Sequence, residues 1–139
     1  MTGHKAILLV DDDEDDQFFF VDTLKEFAPD IACFIASNGM EAMELLQSAA
    51  LLPSLIFLDL NMPVMNGFEC LDQIKREKRF REIPVIIYST SSDPITVKKI
   101  NEMGANAFFR KPSDFPSMHS KLQQLLNFDF AGSTQAQVV

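Results

Sequence analysis

Ile7-Leu8-Leu9-Val10-Asp11-Asp12-Asp13-Glu14-Asp15-Asp16-Gln17-Phe18-Phe19-Phe20-Val21 sets six consecutive acids between two apolar runs. A block of like charge repels itself and usually belongs to a solvated tail. This block has core-forming sequence on both sides, so it sits where a strand hands over to a helix. Acids in the first turn of that helix are favoured by its N-terminal partial positive charge. That accounts for Asp13 to Asp16 and leaves Asp11 and Asp12, at the very end of the strand, without a structural reason.

Working outward, apolar runs of strand length recur at Ala6–Val10, Ile31–Ala36, Leu55–Leu58, Val85–Tyr88 and Ala107–Phe109. They are continuous rather than alternating, the pattern of strands covered on both faces. Helical signals fill the gaps. Asn38-Gly39-Met40-Glu41 has the form of a capping box, Phe68, Leu71 and Ile74 repeat at helical spacing, and Asp93-Pro94 opens a helix that Met103-Gly104 closes. A last helix is expected from about Ser113 to Phe128. Five strands alternating with five helices indicate an α/β domain with a parallel sheet and right-handed crossovers.

The 139 residues are enough for one domain, and 47% apolar content supplies one core. Residues 1–128 are expected to form it, with 129–139 as a flexible C-terminal tail of small and polar residues. No segment approaches a membrane span and the N-terminus has no secretory pattern, so a cytoplasmic location is expected. Cys33 and Cys70 lie in apolar segments at no metal-like spacing and read as small buried hydrophobes. A net charge of −8 argues against a nucleic-acid partner, and the basic run Lys75 to Arg81 reads as a solvated face at a helix end. His4 and His119 read as surface residues, so a phosphoryl-donating histidine has to come from another protein.

An open parallel sheet gathers function beyond the carboxyl ends of its strands. Here those ends carry Asp11-Asp12, Asp59, Ser89-Thr90 and Arg110-Lys111-Pro112. Three carboxylates at one rim raise one another's pKa unless a cation balances them. A hard divalent ion such as Mg²⁺, which takes carboxylate, water and phosphate oxygens, resolves the conflict. Beside such an ion and Lys111, a free carboxylate can attack phosphorus and form an aspartyl-phosphate.

The segments LLVDDD, LIFLDLNMPVMNGFE, PVIIYSTSS and GANAFFRKP resemble, in order, those of response regulator receiver domains of two-component systems. The resemblance spans about Lys5 to Phe128 and implies a flavodoxin-like, doubly wound five-stranded sheet of order 2-1-3-4-5. (That order is the known one for a chemotaxis regulator of this kind.) It implies Asp59 as phosphoacceptor, with Mg²⁺ held by Asp11, Asp12, Asp59 and the backbone carbonyl of Asn61. Ser89 takes the place of the hydroxyl that moves onto the phosphoryl group, Lys111 that of its partner lysine, and Phe108 that of the switch aromatic turning inward on activation. The bond before Pro112 is expected to be cis. Thr90 departs from the small residue usual there and would crowd the mouth of the site.

The partner so implied is a sensor histidine kinase or phosphotransfer protein, and the chain also resembles single-domain receivers that serve phytochrome-type kinases. Output would pass through protein contacts rather than DNA, from a monomer or weak homodimer that is not itself an enzyme. Another reading is a phosphatase of the haloacid-dehalogenase type with Asp11 as nucleophile, but it leaves Asp59 and its Asn-Met-Pro unexplained. Helical geometry adds one more expectation. Phe20 lines up with Leu24 and Phe27 toward the sheet, which turns Phe18 outward beside the rim, where it would dock the phosphodonor protein.

Overall fold

A computed structural model describes residues 3–90, 93–131 and 136–139. The chain alternates β1 (Ala6–Val10), α1 (Glu14–Phe27), β2 (Ala32–Ala36), α2 (Gly39–Ser48), β3 (Leu55–Leu58), α3 (Gly67–Arg76), β4 (Val85–Ser89), α4 (Pro94–Glu102), β5 (Ala107–Arg110), α5 (Phe115–Asn127) and β6 (Gln137–Val138). All strand pairs are parallel and the sheet order is 2-1-3-4-5-6.

Successive side chains of a strand point to opposite faces, and the central strands use both. Leu8, Val10, Ile56, Leu58, Val85, Ile87 and Phe108 pack under α2, α3 and α4 with Ala42, Met43, Leu46, Leu71, Ile74 and Ile100. Ile7, Leu9, Phe57, Ile86, Tyr88 and Phe109 pack under α1 and α5 with Phe20, Leu24, Met118, Leu122 and Leu126. Phe20 meets Phe57 and Tyr88 edge-on, at ring-centroid distances of 4.8 and 5.6 Å. Phe20 and Leu24 are buried and Phe27 half-buried, as their helical phase requires.

Helix starts follow local chemistry. Asp13, Asn38, Asn66, Asp93 and Asp114 each accept a hydrogen bond from an N–H of the first turn. The reciprocal capping box lies at Asn66 and Glu69, not at Asn38. There Glu41 reaches past the cap to the N–H of Ser37. Gly104, at φ 96°, ends α4 in the left-handed region that glycine tolerates.

Three expectations need correction. Five strands were expected and the sheet has six. The sixth comes from within 129–139, where Gln137 donates to Asn106 O at 3.1 Å and Val139 to Phe108 O at 2.8 Å. Unpaired backbone groups on the edge of β5 make that pairing favourable irrespective of side chain; residues 132–135 of that stretch lie outside the described residues. β2 is not covered on both faces, because it is the other edge of the sheet, and Phe34 and Ile35 are exposed there. Among the described residues no peptide bond is cis, so the bond before Pro112 is trans, the isomer intrinsically favoured for X–Pro.

Candidate phosphoacceptor site

Each rim residue sits one position beyond a strand and still bonds to its neighbour. Asp11 N–H donates to Ala36 O at 3.0 Å, Asp59 N–H to Val10 O at 2.9 Å and Lys111 N–H to Ser89 O at 2.8 Å. The ladder therefore fixes the backbone under all three side chains. Behind Asp59 the chain turns tightly. Gly67 N–H donates to Leu60 O at 2.9 Å, and a Cβ at Gly67 would overlap the carbonyl oxygen of Asp59. Glycine is required there to let α3 approach the loop that follows β3.

Asp11, Asp12 and Asp59 can each bring one carboxylate oxygen within 4.8 Å of the others. Asp11 is fully buried, Asp59 retains 7% exposure and Asp12 is open to solvent. Lys111 closes the group, its Nζ lying 2.9 Å from Asp11 Oδ2, 3.3 Å from Asp59 Oδ2 and 2.8 Å from Asp16 Oδ2. It also sits 5.0 Å above the ring of Tyr88.

The electrostatics follow from this crowding. Burial pushes Asp11 up to about 6, against the opposing pull of the Asp13 N–H and of Lys111. Asp11 Oδ2 has no aligned hydrogen bond, the ammonium 2.9 Å away being its compensation. Burial lowers the Lys111 pKa, but its close contacts with Asp16 and Asp11 and the charge of Asp59 outweigh it, and the net shift is upward. Burial, then the charges of Asp16, Asp11 and Asp59, raise Tyr88, so its phenol stays neutral. A cluster of hard oxygens with an under-satisfied buried carboxylate fits a divalent cation, which would complete what one ammonium compensates only in part.

The other site candidates are placed as follows. Ser89 is buried at the end of β4, and Thr90 is exposed beyond it; Ser91 and Ser92 of the same motif lie outside the described residues. Asn61 is exposed, its N–H 3.5 Å from Asp59 Oδ1. Val64, in the same loop, is exposed at φ 68°, a conformation that β-branched residues resist. Phe108 is fully buried with Ile87 and Ile100. Phe18 is 72% exposed, two residues past Asp16 on the first turns of α1.

Sequence reasoning missed Asp16, grouped with the cap although its carboxylate reaches Lys111. The signal was available, since Asp16 stands one turn past the N-cap Asp13 and faces the rim, whereas Phe18 turns away. Both histidines are half-buried rather than superficial. His4 bridges Ser54 Oγ and Leu126 O at 2.6 and 3.0 Å, and His119 lies between Phe27 and Phe115. Cys33 and Cys70 are free thiols, both pushed up to about 12 by burial and so unreactive.

The family model of the response regulator receiver domain matches residues 7–123. The chain belongs to that family. Response regulator Rcp1 of Synechocystis is 31% identical over 129 residues, covering 89% of this chain and 88% of its own. The Mn²⁺-bound crystal structure of Rcp1 matches at a TM-score of 0.78 and 30% identity, over 94% of this chain and 98% of that one. The phosphorylated cyanobacterial phytochrome response regulator RcpA matches at a TM-score of 0.83 and 28% identity, over 96% and 99%. A methanogenesis regulatory protein of Methanothrix harundinacea, FilR2, is 31% identical over 77 residues, 55% of this chain. The chain spans half the length of that relative.

The protein is thus a two-component signalling protein of the receiver type. The dehalogenase alternative finds no support, for Asp11 has no exposed surface from which to attack a substrate. Among the described residues no helix is long and apolar enough to cross a membrane.

Proposed function

We propose that Asp59 accepts a phosphoryl group from a histidine kinase or phosphotransfer protein and that the modified site alters the protein's contacts. One observation carries the reading: Asp59 is the partly open carboxylate beside a buried one, with the Lys111 ammonium 3.3 Å from its Oδ2. An Asp59 oxygen attacks the phosphorus of a phosphohistidine, the P–N bond breaks, and its electron pair leaves with the imidazole, which takes a proton from solvent. Lys111 neutralises the incoming oxygens in a place that excludes most water.

Asp11, Asp12 and Asp59 would hold Mg²⁺ together with the backbone carbonyl of Asn61. When bound, the ion supplies charge neutralisation for the phosphoryl oxygens. The Ser89 hydroxyl would then turn onto the phosphoryl group, Thr90 would narrow the mouth, and Phe108 would turn inward to fill the space that Ser89 leaves. The signal would leave by α4, β5 and α5 to a downstream protein, from a monomer or weak homodimer acting in the cytoplasm.

Phe18, exposed beside the rim, would form part of the docking surface for the donor. That RcpA is a phytochrome response regulator favours a phytochrome-type kinase as donor. The protein should take one phosphoryl group from acetyl phosphate only with a divalent ion present. Mass spectrometry should map it to Asp59; label on another carboxylate, or sustained phosphate release, would replace this reading.

A further inference from the structure

An ammonium has three N–H donors and no acceptor, and Lys111 Nζ lies within 3.3 Å of three carboxylate oxygens. The shortest of these contacts, 2.8 Å, is to Asp16. Asp11 and Asp59 come from strand ends held by the ladder, whereas Asp16 comes from the first turn of α1. The side chains also differ in solvent access, 0% exposed for Asp11, 10% for Asp59 and 35% for Asp16. Asp16 is therefore the partner whose carboxylate water can take over if Lys111 leaves. Moving away from Asp11 would strand a fully buried charge; moving away from Asp16 would not.

We propose that Asp16 is a latch on Lys111: it holds the ammonium while Asp59 is free and competes with the phosphoryl group for it, so that it sets how readily Asp59 is loaded. This rests on Asp59 being the phosphoacceptor. A phosphoryl group brings further negative charge next to Asp59 and needs the donors that Lys111 now gives away. Releasing the 2.8 Å bond to Asp16 frees one and moves the ammonium toward the phosphoryl oxygens. Until release, the Asp16 charge repels an anionic donor at close range. Asp16 acts through Lys111 and is a positioning residue rather than a catalytic one. Because it lies on α1 two residues before Phe18, the latch also ties the occupancy of the rim to the helix that carries the proposed docking residue.

The test uses the full chain with saturating Mg²⁺. Beryllofluoride, a non-covalent phosphoryl mimic, is titrated by calorimetry, and Asp59 labelling by acetyl phosphate is followed by mass spectrometry. Asp16→Asn should bind the mimic severalfold more tightly and label severalfold faster, while Asp16→Glu, which keeps the charge, should return both toward wild type. Unchanged or weaker values in an Asp16→Asn protein with a native melting temperature overturn the latch. A crystal structure of the wild-type beryllofluoride complex gives a second readout that needs no variant. Lys111 Nζ and Asp16 should there lie beyond hydrogen-bond distance, and a retained bond overturns the proposal. Wild-type protein that takes no label at Asp59 overturns both readings, whereas normal labelling without an Asp16 effect overturns the latch alone.

Discussion

Two half-buried lysines stand at opposite ends of the sheet, each facing three oxygens. At the carboxyl ends of the strands, Lys111 meets the carboxylates of Asp16, Asp11 and Asp59. At the other end, Lys75 donates to Arg81 O at 3.1 Å and to Ile83 O and Asn106 Oδ1 at 3.3 Å. Burial lowers the Lys75 pKa, opposed only by the charge of Glu82, whereas carboxylate partners carry Lys111 upward in spite of its burial. The same side chain with the same number of acceptors thus does two jobs. Neutral carbonyls make Lys75 a strut joining α3 to the loops before β4 and β5. Carboxylates make Lys111 part of a charged, exchangeable site with net negative charge left for a cation to balance.

The largest expected effect removes the acceptor from the charged end. Asp59→Asn should abolish acetyl phosphate labelling while leaving the circular dichroism spectrum and cooperative unfolding in place. Stable label on that variant would break the assignment of the two ends. Asp12→Ala should instead weaken divalent-ion binding in a calorimetric titration.

Next comes the buried carboxylate. Burial raises Asp11 from 3.8 to about 6, so between those values the folded protein keeps a proton that the unfolded chain has released. The stability associated with it is complete below about pH 4 and is lost as pH rises through about 6, a total of about 3 kcal/mol. Asp11→Asn removes this term. Without metal, the stability of the variant relative to wild type should rise by about that amount from pH 4 to pH 7. Urea unfolding at the two pH values measures it, and a flat difference would show that Asp11 is not held neutral.

The strut should respond in the opposite way. Lys75→Met leaves its carbonyl partners short of a donor and should cost about 1–3 kcal/mol in urea unfolding. Labelling of Asp59 should not change, and a labelling defect would erase the contrast between the ends. The smallest effect on the fold is expected at Phe18, 72% exposed. Phe18→Ala should stay within about 0.5 kcal/mol of wild type, yet slow transfer from a cognate kinase severalfold while sparing acetyl phosphate labelling.

Much of this architecture was legible in the chain. Continuous apolar runs placed β1 and β3 to the residue, and Asp93-Pro94 and Met103-Gly104 placed the two ends of α4, because strand burial and helix capping are local. The polar ends of β1, β3, β4 and β5 likewise announced the rim, since a parallel sheet must bring those ends together. What failed depended on partners distant in sequence. Lys75 was read within a solvated basic run, yet it is half-buried and one of its acceptors, Asn106, lies 31 residues further along the chain. β2 has an apolar sequence like a central strand and lies at an edge.

The sequence by itself thus determined the order of elements, the faces that α1 turns inward and outward, and the strand ends at which Asp11, Asp12 and Asp59 stand. Each follows from the periodicity of a single segment. Only the tertiary structure decided that Asp11 and Asp16 of the six acids reach Lys111, that residues 137–138 add a sixth strand beside β5, and that Phe108 is fully buried. The physical reason is that Coulomb and hydrogen-bond energies depend on distances of a few ångströms between groups as far apart in sequence as Asp16 and Lys111. No local pattern in the chain encodes those distances.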